Sequence, residues 1–373
     1  DEIEPIQSPA NNYWKGYWIE DPILLNLRAL PKNFIIKIIT DLLKAGQEKT
    51  EPGNNYLDRL YSLYGKTFTD TFVASYAEKF KTTSLNNIDS ADVTQIFHSP
   101  SIDEVLAGAL SDETINAHLT TFLYSLPIDV FMSFFNNTSY IDLTLKHQVR
   151  LIDAKQKIIV FNNGKKEKYD YLISSMPLPE LIKCITEVPW RIRLASEKLA
   201  YTNCLAINIA VNRKHQSKTY QTYFFDRSII FSRLTFPQSL SQNNSPDKHE
   251  NIRAEIYFSE KYKPLHLPPE NFIEPTIADL RRCGIVSADD DIIYKEAKWE
   301  QFADIIYDIE RKNNLSVVHD YLNEKDIKYC GRFGDWEKKK SDESFTSGED
   351  AAQKIIDQIV FNKTKEYRIS DKL

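Results

Sequence analysis

Apolar residues follow one helical stripe in several segments of the first third of the chain. After Leu30 and Pro31, a phenylalanine, isoleucines and leucines recur at spacings of three and four between positions 34 and 43. This spacing predicts an amphipathic helix, and proline is common at a helix start. The pattern recurs at residues 56–64, 68–80, 102–110, 115–123 and 128–135. We therefore predict that residues 31–136 are mainly helical.

The pattern then changes to that of strands. Residues 141–152 alternate between apolar and polar, and the apolar run 158–161 is followed by Asn162, Asn163 and Gly164, a strong hairpin signal. A short apolar strand at 169–177 ends at a proline. Further strands are predicted at residues 204–212, 222–225, 228–236, 252–258 and 292–299. Turn-rich segments separate them, which favours an antiparallel sheet.

Both ends of the chain carry clear patterns. The aromatic first 22 residues, bounded by Pro22, predict strand or loop. At the other end we predict a helix at 315–322, a strand at 327–330 and an amphipathic helix at 348–361. The order of elements indicates an α/β protein of the α+β multidomain kind rather than a repeat protein.

The composition is that of a globular protein, with 42% hydrophobic and 27% charged residues. A net charge of −6, from 53 acidic and 47 basic residues, argues against broad nucleic-acid binding. Four dispersed cysteines without a C-x-x-C pair predict neither a metal site nor a disulfide framework. No apolar run approaches the ~20 residues of a membrane span, and the charged first residues do not form a signal peptide. We expect a soluble, cytoplasmic protein.

Glycine is scarce. The chain has 10 glycines, whereas a usage of roughly 7% would give about 26. Only Gly331 and Gly334 lie close together, so the 373 residues contain no glycine-dense phosphate loop.

The most specific segment runs from residue 327 to residue 345. A strand ends at Gly331, Arg332 and Gly334, and a loop of lysines, acids and hydroxyl residues leads to a helix. Backbone N–H groups at a helix start attract anions, and an arginine fork suits pyrophosphate. We therefore consider an anion-binding role here. The alternative is a tight turn followed by an N-capping serine or aspartate.

This segment resembles a known family. Residues 331–336, 341–345 and 348–352 look like the C-terminal flavin motif of UDP-galactopyranose mutase-like proteins, which belong with the amine-oxidase and protoporphyrinogen-oxidase-like FAD flavoproteins. Weaker similarities in the same order cover most of the chain, at residues 27–31, 64–79, 149–153, 161–164, 169–179, 231–241, 254–256 and 307–308.

The resemblance implies a domain organisation and a cofactor. It predicts an N-terminal strand or loop at 1–30, a helical domain at 31–136, and an antiparallel substrate sheet at 190–324. An incomplete FAD/NAD(P)-binding-like domain would combine residues 140–185 with 325–373. The implied cofactor is FAD, and the implied substrate is a nucleotide-linked sugar or similar metabolite of polysaccharide or cell-envelope synthesis. A homodimer is left open.

The resemblance also implies site residues. Gly331, Arg332, Phe333 and Gly334 would approach the FAD pyrophosphate. The ribityl chain and pyrimidine edge would meet Asp342, Glu343, Ser344 and Phe345, and the adenine side would meet Val149, Ser175 and Pro177. Candidate substrate residues are Tyr223, Arg233, Tyr307 and Lys338. No protein residue is assigned as catalytic, because flavin N5 would carry the chemistry.

Three features depart from the family pattern. The family opens with a strand and a G-x-G-x-x-G turn, which has no counterpart in these 373 residues. Lys338 stands where an aromatic residue is usual. The glycine pair expected near residues 124–129 is replaced by Ser125, Leu126 and Pro127.

Other readings of the same residues stay open. Arg233 could pair with an acid on a neighbouring strand, and Tyr223 and Tyr307 could be half-buried packing residues. The lysines at 338–340 are either a solvated loop or cations for phosphate oxygens. The second functional hypothesis is a flavin-free relative that serves as a binding or partner subunit, or a chain whose Rossmann segment is supplied elsewhere.

Overall fold

The computed structural model describes residues 10–47, 56–90, 92, 100–113, 141–214, 216–240 and 249–370, with side chains up to 361 in the last helix. The chain divides into two compact units. Unit 1 comprises Asp1–Ser139 and Thr202–Ala303, and unit 2 comprises Tyr140–Tyr201 and Asp304–Leu373.

The strands of the described residues are numbered in chain order: β1 Ala10–Trp14, β2 Tyr17–Glu20, β3 Val149–Asp153, β4 Ile158–Phe161, β5 Lys166–Lys168, β6 Leu172–Ser174, β7 Tyr201–Val211, β8 Gln221–Phe224, β9 Arg233–Thr235, β10 Glu250–Phe258, β11 Ile292–Ile305 and β12 Ile327–Tyr329. The helices of unit 1 are Lys32–Gln47, Tyr56–Tyr64, Lys66–Phe68, the π-helix Thr69–Val73, Ala74–Lys81, Ile102–Leu110 and Ile273–Arg282. Those of unit 2 are Leu178–Cys184, Trp190–Glu197, Arg311–Glu324, Gly331–Asp335 and Ser341–Ser370.

Unit 1 is built on a seven-stranded sheet with the order β11-β7-β10-β9-β8-β1-β2. Strand β10 pairs antiparallel with β7 over its whole length, and β9 pairs antiparallel with both β10 and β8. The N-terminal hairpin adds β1 in parallel to β8. The sheet is therefore mixed, whereas the sequence predicted an antiparallel one. The parallel pair was missed because no local pattern indicates a pairing between strands about 200 residues apart.

Side-chain alternation gives this sheet two different faces. On β7 and β10, residues such as Leu205, Ile207, Ile252 and Ile256 are buried in one core, which includes Ile277 of the helix Ile273–Arg282. Each large apolar side chain buried in this way contributes roughly 1.5–3 kcal/mol. The alternate positions of the same strands point to the opposite face, which is partly polar.

The helical prediction for the first third is confirmed where the structure describes it. The helices Lys32–Gln47, Tyr56–Tyr64 and Ile102–Leu110 match the predicted periodic segments, and residues 66–81 form one run with a π-helix in the middle. The predicted helices at 115–123 and 128–135 lie outside the described residues.

Unit 2 contains two small sheets. Strands β3, β4 and β5 form an antiparallel meander, and Gly164, with φ +84°, lies in the predicted hairpin turn. Strands β6 and β12 form a parallel pair. In the predicted strand 141–152, only the part from Val149 is extended with a pairing partner.

Several local predictions are corrected by the structure. Residues 331–335 form a short helix instead of a loop, and the last helix begins at Ser341 instead of residue 348. Strand β9 covers only three residues of the predicted segment 228–236. The helices Leu178–Cys184, Trp190–Glu197 and Ile273–Arg282 were not predicted. The first two follow a proline. All three are short, so each contains too few helical turns for a periodic apolar pattern to be recognised.

Within the described ranges, none of the helices combines the length and the apolar character needed to cross a bilayer.

The close packing of Gly108 leads to a prediction. A Cβ at this position would lie 2.0 Å from the backbone oxygen of Leu25. We expect Gly108→Ala to lower the free energy of unfolding by about 1–3 kcal/mol, because backbone must move. The matched control is Gly46→Ala, where nothing lies within 4 Å of the added carbon. This change in a helix should stabilise by about 0.5–1 kcal/mol. Urea denaturation of both variants measures the difference, and equal stabilities would contradict the packing described.

Candidate functional site

The four predicted substrate residues fall in two groups. Tyr223 on β8 and Arg233 on β9 belong to unit 1, where they are direct cross-strand neighbours. Tyr307 and Lys338 belong to unit 2, where they are also in contact. The structure thus brings the residues together in pairs.

Arg233 forms an ion pair with Glu255. The two residues oppose each other in the register of β9 and β10, and the Arg233 Nε lies 2.8 Å from the Glu255 Oε2. The Tyr257 hydroxyl donates to the same oxygen at 2.6 Å. The Gln221 amide, with its oxygen turned toward Arg233, accepts from Nη1 at 3.0 Å and donates to the Tyr223 hydroxyl at 3.0 Å. The cross-strand acid considered as an alternative is therefore present.

The charge pattern continues across the sheet. Arg253 donates to Glu300 at 2.9 Å and lies 3.5 Å from the second oxygen of Glu255. Two arginines thus face two carboxylates on this side of β9, β10 and β11. Burial acts to lower the pKa of Arg233, but the neighbouring Tyr257 and Glu255 hold this pKa above its ordinary value. This polar face is charged but internally compensated.

Aromatic rings lie beside this ion pair. The Tyr76 ring meets the Tyr223 ring edge to face at 5.6 Å and stacks on Phe80 at 5.9 Å, and Phe80 contacts Tyr257 at 4.6 Å. Burial raises the pKa of Tyr223 to about 12, so its hydroxyl keeps its proton at neutral pH and can donate. We call the set Tyr76, Phe80, Tyr223, Arg233, Glu255 and Tyr257 the polar-aromatic face.

Sequence reasoning named only two residues of the polar-aromatic face as site residues. Tyr76 and Phe80 are four apart on a helix, a spacing that places two rings side by side. Arg253, Glu255 and Tyr257 alternate along β10, which places them on one face of the sheet. Both signals were visible in the sequence, but the register between strands was not.

Lys79 ties the helix Ala74–Lys81 to the connection between β8 and β9. Its ammonium donates to three backbone oxygens, those of Phe224 at 3.1 Å, Asp226 at 3.2 Å and Phe231 at 2.5 Å. Phe224 ends β8, and Asp226 and Phe231 lie in the connection from β8 to β9. Lys79 therefore joins the helix that carries Tyr76 and Phe80 to the strands that carry Tyr223 and Arg233.

In unit 2, the turn after β12 is closed by internal hydrogen bonds. The Gly331 N–H donates to the Ser347 Oγ at 2.9 Å, and the Ser347 hydroxyl donates to Asp335. Gly331 has φ +76° and open space where a Cβ would stand. A Cβ at Gly334 would lie 3.1 Å from the backbone oxygen of Ser174, so this glycine allows the short helix to approach the end of β6.

The predicted adenine-side residues lie near the ends of β3 and β6. Val149 begins β3, and its backbone oxygen accepts a hydrogen bond from the Cys184 thiol at 3.8 Å. Ser175 is exposed directly after β6. The Pro177 oxygen accepts from the Glu180 N–H at 2.9 Å and so starts the helix Leu178–Cys184. The structure places all three at element boundaries of one unit.

The remaining predicted cofactor residues surround the start of the last helix. Arg332 donates through Nε to the Lys339 oxygen at 2.9 Å, and its side chain is partly exposed. The Glu343 carboxylate accepts from the Lys340 N–H at 2.7 Å and so caps the helix. Asp342 is exposed, Ser344 is half-buried and donates its N–H to the Lys340 oxygen, and Phe345 is exposed.

The Tyr307 ring lies close to two cations. Its hydroxyl accepts from the Lys338 N–H at 2.9 Å, the Lys338 Nζ lies 5.1 Å from the ring centre, and the Arg311 guanidinium carbon lies 3.9 Å from it. Lys338 also faces Asp304 at 3.8 Å. The Lys338 side chain is 10% exposed, so it is a half-buried member of a cation–π and ion-pair cluster and not a solvated loop lysine.

Trp336 carries a polar atom that needs a partner. Its indole is fully buried, next to Tyr201 and Phe333, and among the described residues the Nε1 donor has none. A buried donor without an acceptor costs about 1–3 kcal/mol, and such atoms often mark a place where a ligand or water binds.

The position of Lys79 predicts a pH dependence of stability. Burial lowers its pKa to about 7, whereas in an unfolded chain it is about 10.4. Between these values the unfolded chain binds more protons, so stability rises with pH; below about pH 7 the cost of burying the charge is fully present. Above pH 7, the free energy of unfolding of the wild type, relative to that of Lys79→Met, should therefore rise by up to about 1.4 kcal/mol per pH unit.

Urea denaturation of both proteins between about pH 6 and pH 10 measures this difference. Lys44→Met, which changes an exposed lysine of unit 1, is the control and should show no such trend. A flat difference for Lys79→Met would mean that the three backbone oxygens keep Lys79 charged, and the prediction would be wrong.

The fold is similar to those of several proteins of known structure. No protein-family model matches the chain. The structure of a reduced UDP-galactopyranose mutase matches with a TM-score of 0.85 at 20% identity, covering 96% of this chain and 80% of the mutase chain. A candidate protoporphyrinogen oxidase from Exiguobacterium sp. 255-15 matches with a TM-score of 0.64 at 12% identity, covering 89% of this chain and 76% of that one.

A CLA-producing fatty acid isomerase from P. acnes also matches, with a TM-score of 0.60 at 11% identity over 95% of this chain and 81% of that chain. These matches confirm, at the level of the fold, the resemblance seen in the sequence. The chain has a mixed helix-and-sheet fold that it shares with these three proteins.

Proposed function

We propose that the protein is a flavoprotein, an FAD-dependent oxidoreductase or a mutase-like enzyme, that acts on a nucleotide-linked sugar or a related metabolite of polysaccharide or cell-envelope synthesis. The observation that carries the proposal is the position of the motif 331–345 within a fold shared with UDP-galactopyranose mutase over 96% of the chain. Identities of 20% and below support the fold, so the chemistry has to be argued from the residues.

Features of unit 2 fit a flavin. The space above Gly331 is open, the Arg332 guanidinium is partly exposed, and the Trp336 indole N–H is a buried donor in need of an acceptor. Arg332 would bind the pyrophosphate, because a guanidinium forks onto phosphate oxygens. The residues at 342–345 would line the ribityl and pyrimidine side, and Val149, Ser175 and Pro177 the adenine side.

The chemistry would come from the cofactor. FAD supplies a ring nitrogen that exchanges a hydride or bonds to carbon, so no protein nucleophile is required. The chain's own residues would bind and orient. Tyr307, whose hydroxyl accepts from the Lys338 N–H, offers a positioned hydroxyl in unit 2, and its ring lies close to the Lys338 and Arg311 cations.

The polar-aromatic face of unit 1 supports a sugar-type ligand. Aromatic rings next to hydroxyl and charged groups suit sugars and nucleobases, since rings cover the apolar faces and the polar groups pair with hydroxyls. Tyr223 keeps a protonated hydroxyl, and Arg233 supplies a positive charge next to it. The proposed ligand is a nucleotide-linked sugar whose phosphates meet Arg233.

A second candidate is a flavin-free binding or partner subunit. Specific observations favour it: the Gly331 N–H is already bonded to Ser347, the Lys340 N–H to Glu343, and Arg233 to Glu255. A phosphate at the start of the last helix would also meet the acidic Asp342 and Glu343. In this candidate the fold is kept, while the groups that would hold the cofactor bond to one another.

Titration with FAD distinguishes the two candidates. For a flavoprotein, we expect the purified chain to take up one FAD, seen as quenched flavin fluorescence and a shifted visible spectrum. Arg332→Ala should weaken binding about tenfold or more, because a hydrogen bond to a charged group is worth about 1.5–3 kcal/mol. Arg191→Ala, an exposed arginine of the same unit, should leave the affinity unchanged. A chain that takes up no FAD would support the flavin-free candidate.

The substrate proposal is tested on unit 1. We expect a UDP-linked hexose to bind, with a double change of Arg233→Met and Glu255→Met lowering the affinity about tenfold or more. The double change removes the cation without leaving a buried carboxylate unpaired. Arg227→Met, which removes an exposed, ion-paired arginine of the same unit, is the matched control. Calorimetric titration measures both, and unchanged affinity in the double variant would remove Arg233 from the site.

A further inference from the structure

An asparagine of β1 extends the polar-aromatic face toward the N-terminal hairpin. Asn12 is opposite Tyr223 in the parallel register of β1 and β8, and Tyr223 is opposite Arg233 in the register of β8 and β9. Cross-strand partners point to the same side of a sheet. The neighbouring residues Tyr13 and Phe224 lie in the apolar core on the other side. Asn12, Tyr223 and Arg233 therefore form one row on the polar side.

The amide oxygen of Asn12 is a buried acceptor that needs a donor. Asn12 is 1% exposed, and its Nδ2 donates to the Ile19 backbone oxygen at 3.3 Å and to the Asp21 Oδ1 at 3.2 Å. Because both partners are acceptors, they fix which end of the amide is the nitrogen. The Oδ1 at the other end has no donor among the described residues. A buried acceptor without a donor costs free energy, so such an atom indicates a missing partner.

Tyr223 supplies the complementary group. The Gln221 amide nitrogen donates to the Tyr223 oxygen, so the proton of this hydroxyl can be donated to another group. Neighbouring strands lie about 4.8 Å apart, so the Asn12 acceptor and the Tyr223 donor come from adjacent positions of the sheet. A ligand hydroxyl is both a donor and an acceptor, and it can satisfy the two residues together.

Asp21 lies near the same two groups. Burial is the main cause that raises the pKa of Tyr220 and of Tyr223, and the Asp21 carboxylate acts in the same direction on both. Asp21, Tyr220 and Tyr223 are half-buried and reach solvent, whereas Asn12 is buried. Polar groups next to Asn12 are therefore accessible to a ligand.

We propose that Asn12 and Tyr223 recognise one ring hydroxyl of the sugar, which donates to the Asn12 Oδ1 and accepts from the Tyr223 hydroxyl. Asp21 is a positioning residue, because its carboxylate holds the nitrogen end of the Asn12 amide. This role rests on the proposed function, since it belongs to the substrate site of unit 1. A ring that lacks the hydroxyl would leave both polar groups unpaired and would be rejected.

Calorimetric titration of the full chain tests this role. The probes are UDP, UDP-glucose, UDP-galactose and analogues of both sugars that each lack one hydroxyl. For the wild type, we expect one such analogue to bind at least about tenfold more weakly than its parent. In Asn12→Leu, the parent should bind as weakly as that analogue, so the difference disappears. UDP alone should bind equally to both proteins, because it carries no sugar ring.

Asn11→Leu is the matched control. Asn11 lies on the other side of β1, where its side chain accepts from the Thr222 hydroxyl. The same change at this position should keep the difference between the parent and the analogue.

Three further variants separate recognition from folding. Tyr223→Phe keeps the ring and removes only the hydroxyl, and it should also lose the difference. Asp21→Ala should reduce the difference, whereas Asp21→Asn should restore it, because an amide oxygen can still accept from Asn12. Circular dichroism verifies the fold of each variant, and these three decide the question if Asn12→Leu does not fold.

The outcomes distinguish this role from the proposed function. If the UDP-linked hexoses bind but no analogue is discriminated, water alone meets the Asn12 oxygen, and the role is wrong while the substrate proposal stands. The same holds if the difference persists in Asn12→Leu and in Tyr223→Phe. If neither UDP nor the UDP-linked hexoses bind, the substrate proposal fails, and this role fails with it.

Discussion

The alternation of side chains along β7 and β10 is the constraint on which unit 1 depends. One face of these strands is buried with Leu205, Ile207, Ile252 and Ile256, and this burial fixes the register. A slip of one residue would turn every buried side chain to the other face. The register that serves the core therefore also decides what the opposite face carries.

The polar-aromatic face is a consequence of that register. Arg233 meets Glu255 because β9 and β10 are aligned by their apolar neighbours, Leu234 and Ala254. The ion pair, the Tyr257 hydroxyl and the Gln221 amide then satisfy one another. Lys79 holds the connection between β8 and β9 in place. A ligand on this face would meet a preorganised but charge-balanced surface, on which hydroxyls and rings matter as much as the net charge.

Unit 2 combines polar groups that bond to one another with one buried donor that has no acceptor among the described residues. The turn at Gly331 is closed by Ser347 and Asp335, and Glu343 caps the last helix. The Trp336 indole N–H is buried without an acceptor among the described residues. A turn that bonds to itself binds an anion only by exchanging those bonds, whereas Arg332 is partly exposed. The internally bonded turn favours the flavin-free candidate, and the partly exposed Arg332 favours the flavoprotein. The two candidates therefore differ in the expected binding of FAD.

Strongly periodic segments were predictable, and short ones were not. The helix Lys32–Gln47 has four turns of regular apolar spacing, and the turn 162–164 follows from two asparagines and a glycine. The helix Gly331–Asp335 was missed because two glycines in five residues predict a loop. It forms because Gly334 packs against the end of β6 and the turn before it is closed by Ser347.

The sequence by itself determined the periodic helices, most strands and the fold class, because these depend on neighbours a few positions apart or on motif order. Only the tertiary structure decided that β1 joins β8 in parallel, that Glu255 faces Arg233 and that Lys338 packs on Tyr307. Each of these contacts joins segments separated along the chain. Strand register and burial bring these segments together, and a local sequence pattern predicts neither of the two.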